Sequence, residues 1–160
     1  MKTLFILVLI YFTAGFTTAI EFKNEEKVVL LGNTFIERDV NFGHIETHLA
    51  LSLSEKRPTF RNLGWSGDTV YCHARSYFGP PQEGFDRLKK HIQFLKPTTV
   101  LMCYGAVASF EGEPGLGSFL EGYKRLMAMI RATSGARIVL VLHCENAATV
   151  PAQQTSCCFL

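Results

Sequence analysis

Four short apolar runs recur along the chain, at residues 28–31, 60–63, 100–104 and 138–142. Each run is as long as an ordinary β-strand, and longer segments with helical spacing separate them. Strands that alternate with helices are typical of a mostly parallel sheet that is covered on both faces. The pattern therefore predicts an α/β domain.

The segments between the runs carry apolar stripes at three- and four-residue spacing, as expected for the buried faces of helices. Pro97 is expected to end the second helix, and Gly135 is expected to cap the third. The stripes consist of Ile45, Leu49 and Leu53 in the first helix, Phe85, Leu88, Ile92 and Leu95 in the second, and Phe119, Tyr123, Leu126, Met127 and Ile130 in the third.

The composition fits one globular domain. The chain has 160 residues, of which 48% are hydrophobic and 19% charged, and its formal net charge is +2. It contains no run of basic residues of the kind found in nucleic-acid-binding proteins. Nucleic acid and anionic membrane surfaces are therefore not expected as partners.

Residues 1–19 have the layout of a secretory signal peptide, with Lys2 before an apolar run and small residues at Thr17 and Ala19. Cleavage is expected after Ala19, which implies a secreted or periplasmic protein. The apolar run at residues 4–12 is shorter than the roughly 20 residues needed to cross a bilayer. No stable membrane span is therefore expected after cleavage, although an uncleaved anchor that extends through Phe16 remains an alternative.

Cysteine usage does not indicate a disulfide framework. The number of cysteines is odd, they form no C-x-x-C pair, and their pairing stays open. Cys103 lies within an apolar run and is expected to be a small core residue. The five are Cys72, Cys103, Cys144, Cys157 and Cys158.

The chain changes character after Glu145. Residues 20–145 form the predicted domain, whereas residues 146–160 show no periodicity and predict an irregular tail. The tail offers neither a further strand nor a further helix. We therefore expect the sheet to lack its last strand and helix, and a truncated or frameshifted reading frame would explain this.

Three short segments each follow a predicted strand, at residues 32–34, 64–69 and 105–107. In a parallel sheet the carboxyl ends of the strands meet at one edge, where ligands bind. The first segment presents Asn33 and Thr34 to that edge. The three segments are therefore expected to converge on one crevice.

These segments resemble the blocks of the SGNH (GDSL-type) hydrolase family of esterases and lipases. The sequence N-L-G-W-S-G-D-T matches the second block of the family and implies that Gly67 is an oxyanion-hole glycine. Gly32, Asn33 and Thr34 stand where the family has Gly-Asp-Ser, so Thr34 takes the position of the nucleophile. The resemblance implies a three-layer αβα, flavodoxin-like fold and hydrolysis of a carbohydrate or lipid acyl ester, without a cofactor or a metal.

The sequence departs from the family pattern at three places. Thr34 adds a methyl group that crowds the approach of its hydroxyl to an acyl carbon. Val107 occupies the position of an asparagine that donates to the oxyanion, and no Asp-x-x-His block follows. A hydroxyl nucleophile needs both a base and oxyanion donors. We therefore expect this chain to be a weak or inactive member of the family.

One of the five histidines could take the place of the missing base. His143 ends the fourth predicted strand at the ligand edge and is the best candidate; His73 follows the second block. His44 and His48 have the spacing of a metal pair on a helix, but no third ligand is evident. His91 belongs to an exposed helix face beside lysines. For each histidine taken singly, a solvated or hydrogen-bonded side chain is more common than a catalytic or metal-binding one.

Three other residues near the predicted edge are candidates for a role in the site. Asp68 and Glu111 follow strand ends and resemble a carboxylate pair, but Asp68 also fits a turn residue that caps backbone amides. Trp65 is placed either to line a pocket or to pack against its neighbours.

Three functions follow. The first is ester hydrolysis by a secreted enzyme; the second is ligand binding in the same crevice by an inactive relative. The third is phosphate binding by a flavodoxin-like module, for which residues 32–34 alone are too short a motif.

Overall fold

The structure of the protein is a computed structural model that describes residues 20–141. The predicted leader, His143, three of the five cysteines and the tail lie outside these residues, so the statements about them stay predictions. Leu142, the last residue of the fourth apolar run, also lies outside.

Residues 20–141 contain a four-stranded parallel sheet with the strand order β2-β1-β3-β4. Each strand covers most of a predicted apolar run and begins one residue before it. The strands are β1 (Lys27–Gly32), β2 (Thr59–Gly64), β3 (Thr99–Cys103) and β4 (Arg137–Leu140).

Helices follow the strands, so the prediction of a parallel α/β fold is confirmed. Helices α1 (Thr34–Phe42) and α2 (His44–Ser52) connect β1 to β2, α3 (Pro81–Leu95) connects β2 to β3, and α4 (Gly112–Ser134) connects β3 to β4. The helix capped by Gly135 begins before the predicted stripe and includes the glycine-rich residues 112–117.

The polar segment after Gly32 forms a helix that the sequence pattern did not predict. The side chain of Asn33 caps α1 by accepting a hydrogen bond from the backbone N–H of Phe35. Gly43 ends the helix in the left-handed conformation, with φ of 66°. Only Ile36 and Asp39 are buried in α1, so its apolar stripe is too short to stand out in the sequence.

The sheet separates two hydrophobic clusters, which confirms the three-layer αβα architecture. Side chains of α3 and α4 pack on one face, around Val29 and Met102 of the strands. On the other face Ile36 of α1 is buried, and Ile45 and Leu49 of α2 are partly buried. The predicted stripes therefore face the core. Cys103 also lies in this core, as predicted, at 2% exposure.

The register aligns the carboxyl ends of the three strands that these segments follow. Gly32 of β1 pairs with Gly64 of β2 and with Cys103 of β3. The chain leaves β1 toward β2 on one side and then returns to β3 on the other side, so the strand order reverses between β1 and β3. Such a switch point leaves a crevice at the ends of the two strands.

Within residues 20–141, no helix has the length and apolar character that a membrane crossing requires.

The thiols of Cys72 and Cys103 are buried and free. Burial, with a smaller contribution from the charge of Asp68, raises the pKa of Cys72 from 9.0 to about 12. Burial likewise raises the pKa of Cys103 to about 11. Both thiols therefore stay protonated near neutral pH and are poor nucleophiles.

These shifts predict a loss of stability at alkaline pH. Above pH 9 the unfolded chain releases the thiol protons while the folded chain retains them, so the unfolded state is favoured. The contribution of Cys72 is complete below pH 9 and falls progressively toward pH 12. Thermal unfolding followed from pH 8 to 11 should show a shallower fall in melting temperature for Cys72→Ala than for the parent chain. Equal slopes would contradict the assignment.

Candidate functional site

The turn from β1 into α1 places Thr34 at the carboxyl edge of the sheet. Gly32 has no room for a side chain, because a Cβ atom would overlap the backbone carbonyl oxygen of Cys103. Asn33 is 4% exposed, and its side chain is used as the helix cap. Asn33 therefore holds the turn, while the hydroxyl of Thr34 is left at the start of the helix.

The end of β2, where the loop that carries Gly67 begins, is held against α1 by a side-chain hydrogen bond and by a close backbone approach. Asn62 donates from Nδ2 to the carbonyl oxygen of Ile36 at 2.7 Å, and its Oδ1 accepts from the N–H of Gly64 at 2.8 Å. A Cβ atom on Gly64 would overlap the backbone of Glu37. Only a glycine therefore lets this loop come so close to α1.

The hydroxyl of Thr34 contacts this loop directly. The N–H of Gly67 donates to Thr34 Oγ1 at 3.1 Å, and Ser66 Oγ lies 3.3 Å from the same oxygen. Ser66 Oγ also lies 3.4 Å from Glu37 Oε2. Gly67 has φ of 68°, a conformation that favours glycine. The first and second segments therefore meet, as their positions after neighbouring strands predict.

The surroundings of the Thr34 hydroxyl include groups that favour negative charge. The backbone N–H of Gly67 lies beside this hydroxyl and donates to it. Thr34 is also the first residue of α1, where the helix dipole favours negative charge. The arrangement favours a developing anion next to the Thr34 hydroxyl.

The loop after β3 completes one wall of a cavity of about 530 Å³ that Thr34 also lines. This larger cavity lies at the switch point, between α1 and the residues that follow β3. Its polar lining includes Arg38, Asp39 and His44. Its apolar lining consists of Phe35, Phe42, Ile45, Ala106, Val107 and Phe110.

A smaller cavity of about 150 Å³ shares Val107 with the larger one. It is lined by Asp68 and Glu111, the predicted carboxylate pair, and by His73. His73 is tied to its own loop, since Nδ1 lies 2.9 Å from Thr69 Oγ1. Asp68 and Glu111 therefore line the same small cavity, but the carboxylate of Asp68 is bound by another residue.

Asp68 forms a buried ion pair with Arg75. Asp68 is fully buried, and its Oδ2 accepts from Arg75 Nε at 2.6 Å and from the Tyr104 hydroxyl at 3.2 Å. Burial acts to lower the pKa of Arg75, but Tyr104 and Asp68 outweigh it, and the pKa lies above its ordinary value. Burial, then the Asp68 charge, raises the pKa of Tyr104 well above its ordinary value.

This pair makes Asp68 a structural residue. Arg75 also donates to the carbonyl oxygen of Leu63 at 2.6 Å, so it ties the end of β2 to the loop that contains Gly67. The interpretation of Asp68 as a turn residue that caps backbone amides is therefore incomplete, because the principal partner of its carboxylate is the guanidinium group of Arg75. Trp65 packs near Tyr77 and Arg75 and lines neither cavity. This favours the interpretation that Trp65 packs against its neighbours over the one in which it lines a pocket.

No histidine among residues 20–141 hydrogen-bonds to the Thr34 hydroxyl. His44 lines the larger cavity, and His73 lines the smaller one. His48 and His91 are exposed. In the same described range, no group of three or more histidine, cysteine, aspartate or glutamate residues is arranged to hold a metal ion. His143, the best candidate for a base, lies outside the described residues.

Several residues of the crevice were not singled out from the sequence. Ser66 belongs to the crevice through its contact with Thr34, and Glu37 through its contact with Ser66. Phe42 and Phe110 line the larger cavity although they are 68% and 90% exposed. Phenylalanines close in sequence to the predicted ligand edge are the feature from which this apolar lining could have been predicted.

Comparisons with known proteins support the fold and leave the family open. No protein-family model matches the sequence, and no curated protein matches it. A gut microbial diltiazem-metabolizing enzyme has a similar structure, with a TM-score of 0.57 and 19% identity over 77% of this chain and 28% of that chain.

Two acetyl xylan esterases are also similar in structure. One has a TM-score of 0.52 and 15% identity over 71% of this chain and 56% of that chain. The other, from Geobacillus stearothermophilus, has a TM-score of 0.52 and 14% identity over 77% of this chain and 61% of that chain. The chain thus spans less than two thirds of each of these chains and has an α/β fold that is also found in hydrolases.

Proposed function

We propose that the crevice at the end of β1 is the site of an SGNH-type ester hydrolase and that turnover by this chain is weak. Thr34 takes the part of the nucleophile, and the Gly67 N–H is an oxyanion donor. The observation that carries the proposal is the 3.1 Å hydrogen bond between these groups at the switch point of the sheet.

The chemistry would follow the usual course of acyl transfer. Thr34 Oγ1 attacks the acyl carbon and its proton passes to a base, for which His143 is the proposed group. The ester alcohol leaves with a proton from that base. Water then hydrolyses the acyl-threonine, which releases the acid and restores the hydroxyl.

Two features of the described residues support weak turnover. Thr34 Oγ1 accepts from Gly67 N and lies within hydrogen-bond distance of Ser66 Oγ, so two donors compete with an acyl carbon for its lone pairs. Val107, where the family has an oxyanion asparagine, has no side-chain donor. The acetyl xylan esterases support an ester as the substrate, since they share the fold.

Replacing Thr34 with serine tests the proposal. The parent chain should hydrolyse p-nitrophenyl acetate at a rate close to that of buffer, and Thr34→Ser should exceed it because the hydroxyl loses its neighbouring methyl group. Thr34→Ala should stay at the buffer rate, and Thr47→Ala, on the exposed side of α2, should match the parent.

Two results would count against the proposal. Equal rates for Thr34→Ser and Thr34→Ala in folded proteins would remove Thr34 as the nucleophile. Fast turnover by the parent chain that is lost in Thr34→Ala would instead show that the site is fully active. Adding His143→Ala to Thr34→Ser should abolish the gain if His143 is the base.

Ligand binding without turnover is the second candidate function. It is favoured by the absence of a histidine contact to Thr34 among residues 20–141. In that case a ligand would occupy the larger cavity, and neither the parent nor Thr34→Ser would hydrolyse an ester.

A further inference from the structure

We propose that the larger cavity holds an unbranched aliphatic acyl chain, so that the substrate is a medium-chain fatty acyl ester and not an acetylated carbohydrate. This inference rests on the proposed function, because it assigns the part of the Thr34 site that binds the acyl group of the substrate.

The lining of the cavity favours a hydrocarbon. Phe35, Phe42 and Phe110 contribute three aromatic side chains, and Ile45 and Val107 extend the apolar surface. A carbohydrate binds through several hydrogen bonds, and two buried side chains of this lining each use one side-chain oxygen within the protein. Asp39 is 8% exposed and accepts from the N–H of Ile45 at 3.0 Å, and Asn33 caps α1.

Two polar groups of the lining, Arg38 and His44, lie toward solvent. The side chain of Arg38 is 68% exposed and lies 3.6 Å from the Glu37 carboxylate. His44 is exposed and stacks on Phe42, with ring centroids 5.9 Å apart. These groups lie toward solvent, so the charged group that a neutral chain would approach in the cavity is the buried carboxylate of Asp39, whose Oδ1 accepts from the N–H of Ile45.

The volume also exceeds what an acetyl group requires. A cavity of about 530 Å³ lies within the range of roughly 300–1,000 Å³ that is typical of sites for drug-sized ligands. A longer chain would fill it and cover the exposed faces of Phe42 and Phe110. Burial of apolar surface on both partners would stabilise the complex.

The polar end of the site fixes the orientation of such a chain. The Gly67 N–H and the start of α1 both favour negative charge next to the Thr34 hydroxyl. The carboxylate of a fatty acid, which is the product of the proposed reaction, matches this charge. Its alkyl chain would then extend from Thr34 along the phenylalanine-lined wall.

Calorimetric titration of the full chain with hexanoate, octanoate and decanoate tests the inference without requiring turnover. Each added methylene group should tighten binding by about fourfold until the cavity is filled. Acetate and xylotriose should show no measurable binding. Equal affinity along the series, or binding of xylotriose in preference to decanoate, would overturn the inference.

Matched variants locate the binding. Phe42→Ser and Phe110→Ser should weaken decanoate binding by roughly tenfold or more, because each removes a large apolar contact. Phe94→Ser is the control, since Phe94 is 85% exposed on α3 and lines neither cavity. All three side chains are exposed, so folding should be retained. A similar loss in all three variants would indicate non-specific adsorption and overturn the inference.

The outcomes separate this inference from the proposed function. Chain-length-dependent binding with no hydrolysis by any Thr34 variant would support the aliphatic cavity and reject catalysis. Hydrolysis of p-nitrophenyl acetate by Thr34→Ser with no chain-length dependence would support catalysis and reject the aliphatic cavity.

Discussion

Asp68→Asn should lower the free energy of unfolding by roughly 3–5 kcal/mol, the usual cost of breaking a buried ion pair. Asparagine keeps the shape of the side chain but leaves the guanidinium of Arg75 without a counter-ion. Arg75 is 2% exposed and Asp68 is fully buried, so water cannot replace the lost partner. Urea unfolding followed by circular dichroism measures the change.

The same replacement at an exposed ion pair is the control. Glu25 lies 3.5 Å from Arg57, and both side chains are more than 70% exposed. Glu25→Gln should therefore change the free energy of unfolding by only about 0.2–1 kcal/mol. Equal losses for the two variants would mean that the Asp68–Arg75 pair is not buried in solution.

The Asp68→Asn variant also tests how the site is held. Arg75 links Asp68 to the end of β2, and the loop between them carries Gly67. Loss of the pair should loosen this loop and with it the hydrogen bond to Thr34. The amide of Gly67 should then exchange with deuterium faster than in Glu25→Gln.

Val107→Asn should raise ester turnover by about 10²–10³-fold in a Thr34→Ser background, the range attributed to one side-chain oxyanion donor. The asparagine would supply the amide that the resemblance assigns to this position. Val107 lines both cavities. It follows β3, whereas Gly67 follows β2, and β1 lies between these two strands in the sheet. Initial rates with p-nitrophenyl acetate measure the gain.

An exposed valine offers a matched control. Val40 is 68% exposed on α1 and lines neither cavity, so Val40→Asn in the same background should leave the rate unchanged. A folded Thr34→Ser/Val107→Asn protein with no gain would show that residue 107 does not face the oxyanion. An equal gain from Val40→Asn would show that the effect is not local.

The strands and the later helices could be predicted because their signals are local. Residues 28–31 and 100–104 are apolar throughout, as expected for strands buried on both faces. The stripe that includes Leu88 and Ile92 has the helical period, and both side chains are fully buried. Helix α1 was missed because its two buried residues, Ile36 and Asp39, give almost no stripe and one of them is charged.

The edge that carries the crevice was predictable for a different reason. Once the strands are parallel, their carboxyl ends meet, so the segments after β1 and β2 must approach each other. That inference needed no side-chain geometry, and the contact between Gly67 and Thr34 agrees with it. The partner of Asp68 could not be predicted, because Arg75 lies in a short 3₁₀-helix (His73–Ser76), which leaves no periodic pattern in the sequence.

The amino-acid sequence by itself determined the α/β class, the buried faces of the helices and the edge of the sheet where polar segments gather. These depend on the spacing of residues along the chain, which is visible without coordinates. Only the tertiary structure decided that Asp68 is bound by Arg75, that Ser66 and Gly67 reach the Thr34 hydroxyl and that three phenylalanines line one cavity. Those contacts join residues that are distant in the sequence or lie in loops, and their distances depend on how the strands and helices pack.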